Sequence, residues 1–135
     1  MLKTSLFRKS VTLFLIIFFL KKIAEIFYFH WTLWWYDVIL HSLSGGLIGL
    51  TIVLVWSNYH GLENSNKLKI ITTTLLLAFI IGLLWEIFEL YSGDTSFNDG
   101  IVYIRDTASD LIADVCGSFF GLLYAYNKEL KVEKI

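Results

Sequence analysis

Residues 106–121 read DTASDLIADVCGSFFG, with aspartates at 106, 110 and 114 followed by glycines at 117 and 121. At about 100° per residue, a helical stripe roughly 80° wide carries Asp106, Asp110 and Asp114, and Gly117 and Gly121 continue it. One helix is therefore acidic above and small below on a single face. A carboxylate near the centre of a bilayer costs roughly 2.5 to 3.5 kcal/mol, so several persist only where they meet one another, a cation or water inside a bundle. Small residues let a neighbouring helix approach closely, which makes Gly117 and Gly121 a packing seam under the carboxylates.

The rest of the chain supplies the bundle. Its 135 residues are 56% hydrophobic and 17% aromatic, with a mean hydropathy of +0.65. That is more apolar surface than a soluble domain of this size can hide. The fold class expected is all-α, a polytopic transmembrane four-helix bundle forming a single domain over residues 1–135. A net charge of -1 with basic and acidic residues in separate places carries no nucleic-acid footprint. The lone Cys116 excludes an intrachain disulfide and a cysteine-based metal site, and reads as a packing residue.

Lys3, Arg8 and Lys9 before the apolar run Val11 to Leu20 resemble the start of a secretory signal, but no small-residue cleavage site follows. Lys21, Lys22, Glu25 and the aromatic cluster Phe27 to Tyr36 come next, as at a membrane interface. The run is expected to be an uncleaved helix over about residues 6–29, with Lys21 and Lys22 either snorkelling or turned toward carboxylates. Further spans are expected over about 37–56, 69–91 and 106–126, each close to the roughly 30 Å of a hydrocarbon core. SGDTSFNDGIVYIR, between the third and fourth, reads as the one long loop, a lid or binding element.

Lys3, Arg8 and Lys9, Lys67 and Lys69, and Lys128, Lys131 and Lys134 mark one side of the membrane. By the positive-inside rule that side is the cytoplasm, so both termini are expected there. The loop with Asp94 and Asp99 then lies outside. On this topology Asp37 and His41, Glu86 and Glu89, and Asp106, Asp110 and Asp114 share one depth band. Asp37, His41, Ser44 and Gly45 make a stripe on the second helix, and Gly82, Glu86 and Glu89 one on the third. The glycines of GGLIG at 45, 46 and 49 lack the strand context of a nucleotide site and read as packing positions. His30 and His60, near interfaces and without ligand partners in sequence, are expected to be solvated.

Plainer readings exist for some of these residues. Asp37 reads as a helix cap, Thr107-Ala-Ser-Asp110 as a capping box, and Glu89 as a headgroup-level, solvated residue. His41, Glu86 and Asp114 resist such readings because they lie a turn or more inside their spans, Asp114 being about 12 Å deeper than Asp106.

The run D-x3-H-x3-G, then WEIFEL, then DTASDLIADVCG resembles the YjdF-like family of small inner-membrane proteins and the wider VanZ-like group. It rests on Asp37, His41, Gly45, Trp85, Glu86, Glu89, Asp106, Thr107, Asp110, Asp114 and Gly117, across roughly residues 36 to 121. The resemblance implies a shared polar motif and no reaction.

Clustered carboxylates cannot all stay ionised unless something neutralises them. Carboxylate oxygens with one imidazole suit a hard divalent cation such as Mg2+ or Mn2+. In that reading His41, Glu86, Asp110 and Asp114 are the metal ligands, Glu89 or Asp106 the general base, and Asp37 part of the polar core. The expected partners are membrane lipids, with a lipid headgroup or lipid-linked envelope precursor as substrate, and a homo-oligomer as a candidate assembly. Two other classes fit the same residues: a proton- or cation-translocating component, and a non-enzymatic assembly protein whose polar core fixes helix register. Transport lacks polar residues below Asp114 beyond Ser44, Ser118 and Thr51.

Overall fold

The computed structural model describes residues 2–62 and 65–133, and side chains over 5–29, 32–62 and 65–128. The side chains of Lys3, His30 and Lys131, and Lys134 altogether, lie outside this description. Four long helices make the all-α fold: α1 (Leu2–Phe27), α3 (Trp34–Tyr59), α4 (Lys67–Ser92) and α5 (Ile101–Glu133), with a one-turn α2 (Phe29–Thr32) between the first two. Three of them, α3, α4 and the Ile101–Lys128 part of α5, are long and apolar enough to cross a membrane. The uncharged run of α1, residues 10–20, gives only about 16 Å of helix against roughly 30 Å of hydrocarbon.

Helix α1 stops at Phe27, short of the expected residue 29, because Tyr28 takes a left-handed conformation with φ 57°. The later helices are longer than the sequence suggested. α3 begins at Trp34, and α5 begins at Ile101, so IVYIR is helical and the expected long loop shrinks to Gly93–Gly100. The α4 end explains the short connection. Gly93, at φ 83°, lets the Glu89 carbonyl accept from the amides of Gly93 and Asp94, both at 3.0 Å, which satisfies a terminal carbonyl and reverses the chain. At the other end of the bundle the Asn66 side chain caps α4 by accepting from the Leu68 amide.

The chief packing is α3 on α5, helices separated in sequence by the whole of α4. Its cause is a reciprocal pair of glycine seams. A Cβ on Gly45 would lie 2.1 Å from the Asp114 carbonyl oxygen, and one on Gly49 2.2 Å from that of Ser118. A Cβ on Gly117 would lie 2.1 Å from the Ser42 carbonyl oxygen, and one on Gly121 2.2 Å from that of Gly46. Each backbone thus occupies the space a side chain would need on the other, the small-xxx-small arrangement of membrane helices. The expectation that Gly117 and Gly121 face a helix holds.

The bundle is divided along its length. Leu6, Leu50, Val53, Leu54, Leu62, Ile70, Leu122 and Ala125 form an apolar core at one end. The opposite end buries His41, Glu86, Glu89, Asp110 and Asp114, each at most 5% exposed. Cys116 is exposed, on the side of α5 away from the seam, and so does not pack in the interior as expected.

Candidate functional site

Three helices deliver the polar residues to one place. The N-terminal half of α3 carries Asp37 and His41, the C-terminal half of α4 carries Glu86 and Glu89, and the N-terminal half of α5 carries Asp106, Asp110 and Asp114. Because α4 runs opposite to both of its neighbours in sequence, these halves share one end of the bundle, and the glycine seam sets how closely α3 and α5 can meet there.

The ligand atoms of His41, Glu86 and Asp110 all lie within 4.8 Å of one another. Two further groups meet the same limit: Asp37, His41 and Glu89, and Asp37, Asp106 and Asp110. Asp37 therefore belongs to the centre of the cluster. It sits inside the first turn of α3, whose end has no side-chain cap, so the helix-cap reading fails. Two oxygens trans across one hard cation stand about 4 to 5 Å apart, so these separations match a shared ion. Glu86 Oε1 and Asp110 Oδ1 are buried and accept no hydrogen bond among the described residues. An orphaned carboxylate oxygen in such a setting loses its hydration without replacement, a cost of at least about 1 to 3 kcal/mol that a bound cation offsets.

Asp114 has a different position from the other expected ligands. Its Oδ2 accepts from His41 Nδ1 at 3.1 Å, and it is in none of the three convergent groups. Fixing Nδ1 in this way orients the imidazole and leaves Nε2 as the nitrogen for a ligand, the arrangement by which carboxylates support metal-binding histidines. Gly82 on α4 makes the space, since a Cβ there would lie 2.5 Å from Asp114 Oδ2.

Glu89 is 3% exposed, which removes the reading of a solvated headgroup residue. It accepts from Trp85 Nε1 at 2.8 Å, and Lys21 Nζ of α1 lies 3.7 Å away. Lys21 also sits 4.8 Å from the centre of the Trp85 ring. Of the two lysines left open by the sequence, Lys21 turns inward and Lys22 stays exposed, paired with Glu25 at 2.6 Å. Thr107 donates to Glu86 Oε2 at 2.6 Å from within α5, six residues past the helix start, so the capping-box reading of Thr107 to Asp110 is overturned. The face it occupies was legible in the spacing, if not its role: Thr107, Asp110 and Asp114 are related by three and then four residues, a tighter helical face than the aspartates alone. Changing Thr107 to valine keeps the shape and strips Glu86 of that donor. Its expected cost is about 1.5 to 3 kcal/mol, the range for a hydrogen bond to a charged group, read as a lower thermal midpoint in detergent.

Two cavities flank the cluster. A polar one of about 570 Å³ lies between it and the α4–α5 connection, bounded by Asp37, Glu89, Asp94, Asp99 and Asp106. An apolar one of about 340 Å³ lies between α1, α3 and α4 and reaches His41 and Asp114. Lys21 and Asp37 line both.

Fold and site together define a small all-α membrane protein with a buried carboxylate–histidine cluster at one end of its bundle. The chain belongs to the family described as Predicted membrane protein (DUF2238), whose match covers residues 2–129. No curated protein and no solved structure matches it.

Proposed function

We propose that the cluster binds a divalent cation such as Mg2+ or Mn2+ and uses it on the head of a membrane lipid or lipid-linked precursor, as a hydrolase or transferase of a phosphate-type ester. The observation that carries this reading is the pair of buried, unpartnered oxygens on Glu86 and Asp110 within a 4.8 Å group with His41. His41, Glu86 and Asp110 are the proposed ligands, with Asp37 beside them, and Asp114 is a positioning residue acting through His41. These ligands would hold the cation, which when bound would supply Lewis-acid polarisation of the ester and a more acidic bound water. Asp106, half-buried at the polar cavity, is the proposed general base. Glu89 is the weaker candidate because Trp85 and Lys21 already engage it.

The protein is proposed to be a multi-pass protein of the cell membrane with four spans, α1 included. Lys21 removes its charge from lipid by turning to Glu89, and Arg8 and Lys9 lie near the other end of α1. Placement among YjdF-like and VanZ-like proteins is supported by the D-x3-H-x3-G, WEIFEL and DTASDLIADVCG runs. Assembly as a homo-oligomer is part of the proposal. Transport is disfavoured, because below Asp114 the backbones of α3 and α5 close on each other at Gly45 and Gly49.

Elemental analysis of the purified protein after equilibration with Mg2+ or Mn2+ is expected to find a stoichiometric divalent ion. Its absence, with function retained by Asn or Gln substitutes, leaves a structural polar core and removes the enzyme reading. Both termini and the Lys67–Lys69 end of α4 are proposed to be cytoplasmic. A reporter fused after Asn98 is expected to report an external location, and a cytoplasmic signal there overturns the orientation.

A further inference from the structure

The two cavities differ in chemistry and meet at Lys21 and Asp37. The smaller is walled by Phe14, Ile17 and Phe18 of α1, Ile48 of α3 and Ile81 of α4, and its polar groups are gathered toward the cluster end. The larger carries six carboxylates among its lining side chains, with Lys21 as its basic residue. At about 340 and 570 Å³ both fall in the usual range of roughly 300 to 1,000 Å³ for ligand sites. A wholly polar ligand leaves the first cavity unfilled, and a wholly apolar one leaves Lys21 and Asp37 facing hydrocarbon. An amphiphile satisfies both.

The packing of α1 supplies the route. It lies against α3 and makes no comparable contact with α4. What joins α1 to α4 near the cluster is Lys21, set against Glu89 Oε1 and over the Trp85 ring. The α1–α4 seam is therefore clasped at its polar end and backed by the apolar cavity further along. A chain already dissolved in the bilayer can enter sideways through such a seam without crossing water.

We propose that the cavity between α1, α3 and α4 holds the single apolar chain of a membrane amphiphile, whose phosphate-type head lies at Lys21 beside the cluster. The head-group half rests on the cation reading given above, since the carboxylates of the polar cavity repel an anion unless a divalent cation stands between them and it. The chain half stands on the cavity alone. Lys21 is the group that exchanges partners, leaving Glu89 for the entering phosphate.

The test is photolabelling in lipid nanodiscs, with a single-chain alkyl phosphate carrying a diazirine at mid-chain and Mn2+ present. Adducts mapped by mass spectrometry are expected on the half-buried Ile17 or Ile48 at about tenfold or more over lipid-facing Ile112 of α5, a decade of preference. Ile48→Trp and, from the opposite wall, Ile81→Trp fill the cavity and are each expected to lower that labelling about tenfold. Thermal midpoints report whether each variant is folded. Labelling spread evenly over lipid-facing residues, or unchanged in both folded Trp variants, overturns the proposal. Excess inorganic phosphate that abolishes labelling of the cavity also overturns it, because the chain then contributes nothing to binding. Mn2+ binding, read separately by electron paramagnetic resonance, distinguishes the two readings. Bound Mn2+ with no cavity labelling removes this inference and leaves the cation site, whereas cavity labelling with no bound Mn2+ in the resonance measurement supports the chain cavity and removes the cation reading.

Discussion

Replacing Gly117 with leucine is expected to abolish the folded protein, and replacing it with alanine to cost about 3 kcal/mol, the upper end for overpacking. The new Cβ would lie 2.1 Å from the Ser42 carbonyl oxygen. That oxygen belongs to backbone, so no rotamer change relieves the clash, and α3 must move away from α5 as a body. The reciprocal contacts at Gly45, Gly49 and Gly121 are lost with it. Gly46 is the internal control. Its Cβ would meet nothing nearer than the Gly117 oxygen at 3.7 Å, an ordinary contact. Gly46→Ala is therefore expected to be neutral or to gain up to about 1 kcal/mol from helix propensity. Thermal midpoints in detergent separate the set; a Gly117→Leu protein as stable as the parent means the stripe on α5 does not face α3.

Asp110→Asn is expected to lower Mn2+ affinity by at least about 100-fold, the upper end for loss of a supporting group around a metal. The same variant is expected to be more stable than the parent in chelator. Asp110 is 1% exposed and close to Glu86, Asp37 and Asp106. Removing one negative charge from such a group relieves repulsion in a poorly solvated place while keeping the shape. With Mn2+ at 100 times the parent's dissociation constant the parent gains about 2.7 kcal/mol and the variant at most about 0.4 kcal/mol, so the order of stabilities reverses. An Asn variant that binds Mn2+ as the parent does, or a parent that Mn2+ fails to stabilise, reduces the cluster to a structural network.

The helix count and the meeting of the acidic stripes were legible because both follow from periodicity. Four apolar runs gave four long helices, and the spacing of Asp106, Asp110, Asp114, Gly117 and Gly121 placed one face of α5 against a partner. Helix ends were not legible. The α1 break depends on the left-handed Tyr28, a residue type with no preference for that conformation, and the early start of α5 puts the apolar residues Ile101 to Ile104 into helix where the turn residues before them suggested loop. The division of labour inside the site was hidden for another reason. Whether Asp114 faces an ion or His41, whether Thr107 caps a helix or donates to Glu86, and which of Lys21 and Lys22 turns inward are set by the rotation of one helix against another, and a single sequence fixes only the face on which each residue lies.

The pairing of α3 with α5, across the whole of α4, has a consequence for how the chain is made. On the multi-pass topology proposed above, α3 and α4 enter the bilayer while α5 does not yet exist, so Asp37, His41, Glu86 and Glu89 arrive before the aspartates of α5. The helix with three aspartates follows, at roughly 2.5 to 3.5 kcal/mol for each carboxylate near the bilayer centre. Its entry becomes favourable when the glycine groove of α3 is already in place to receive it. On that topology the seam is expected to order biogenesis: the acidic segment integrates by docking onto a resident helix, and a damaged groove is expected to leave that last-made segment outside the membrane.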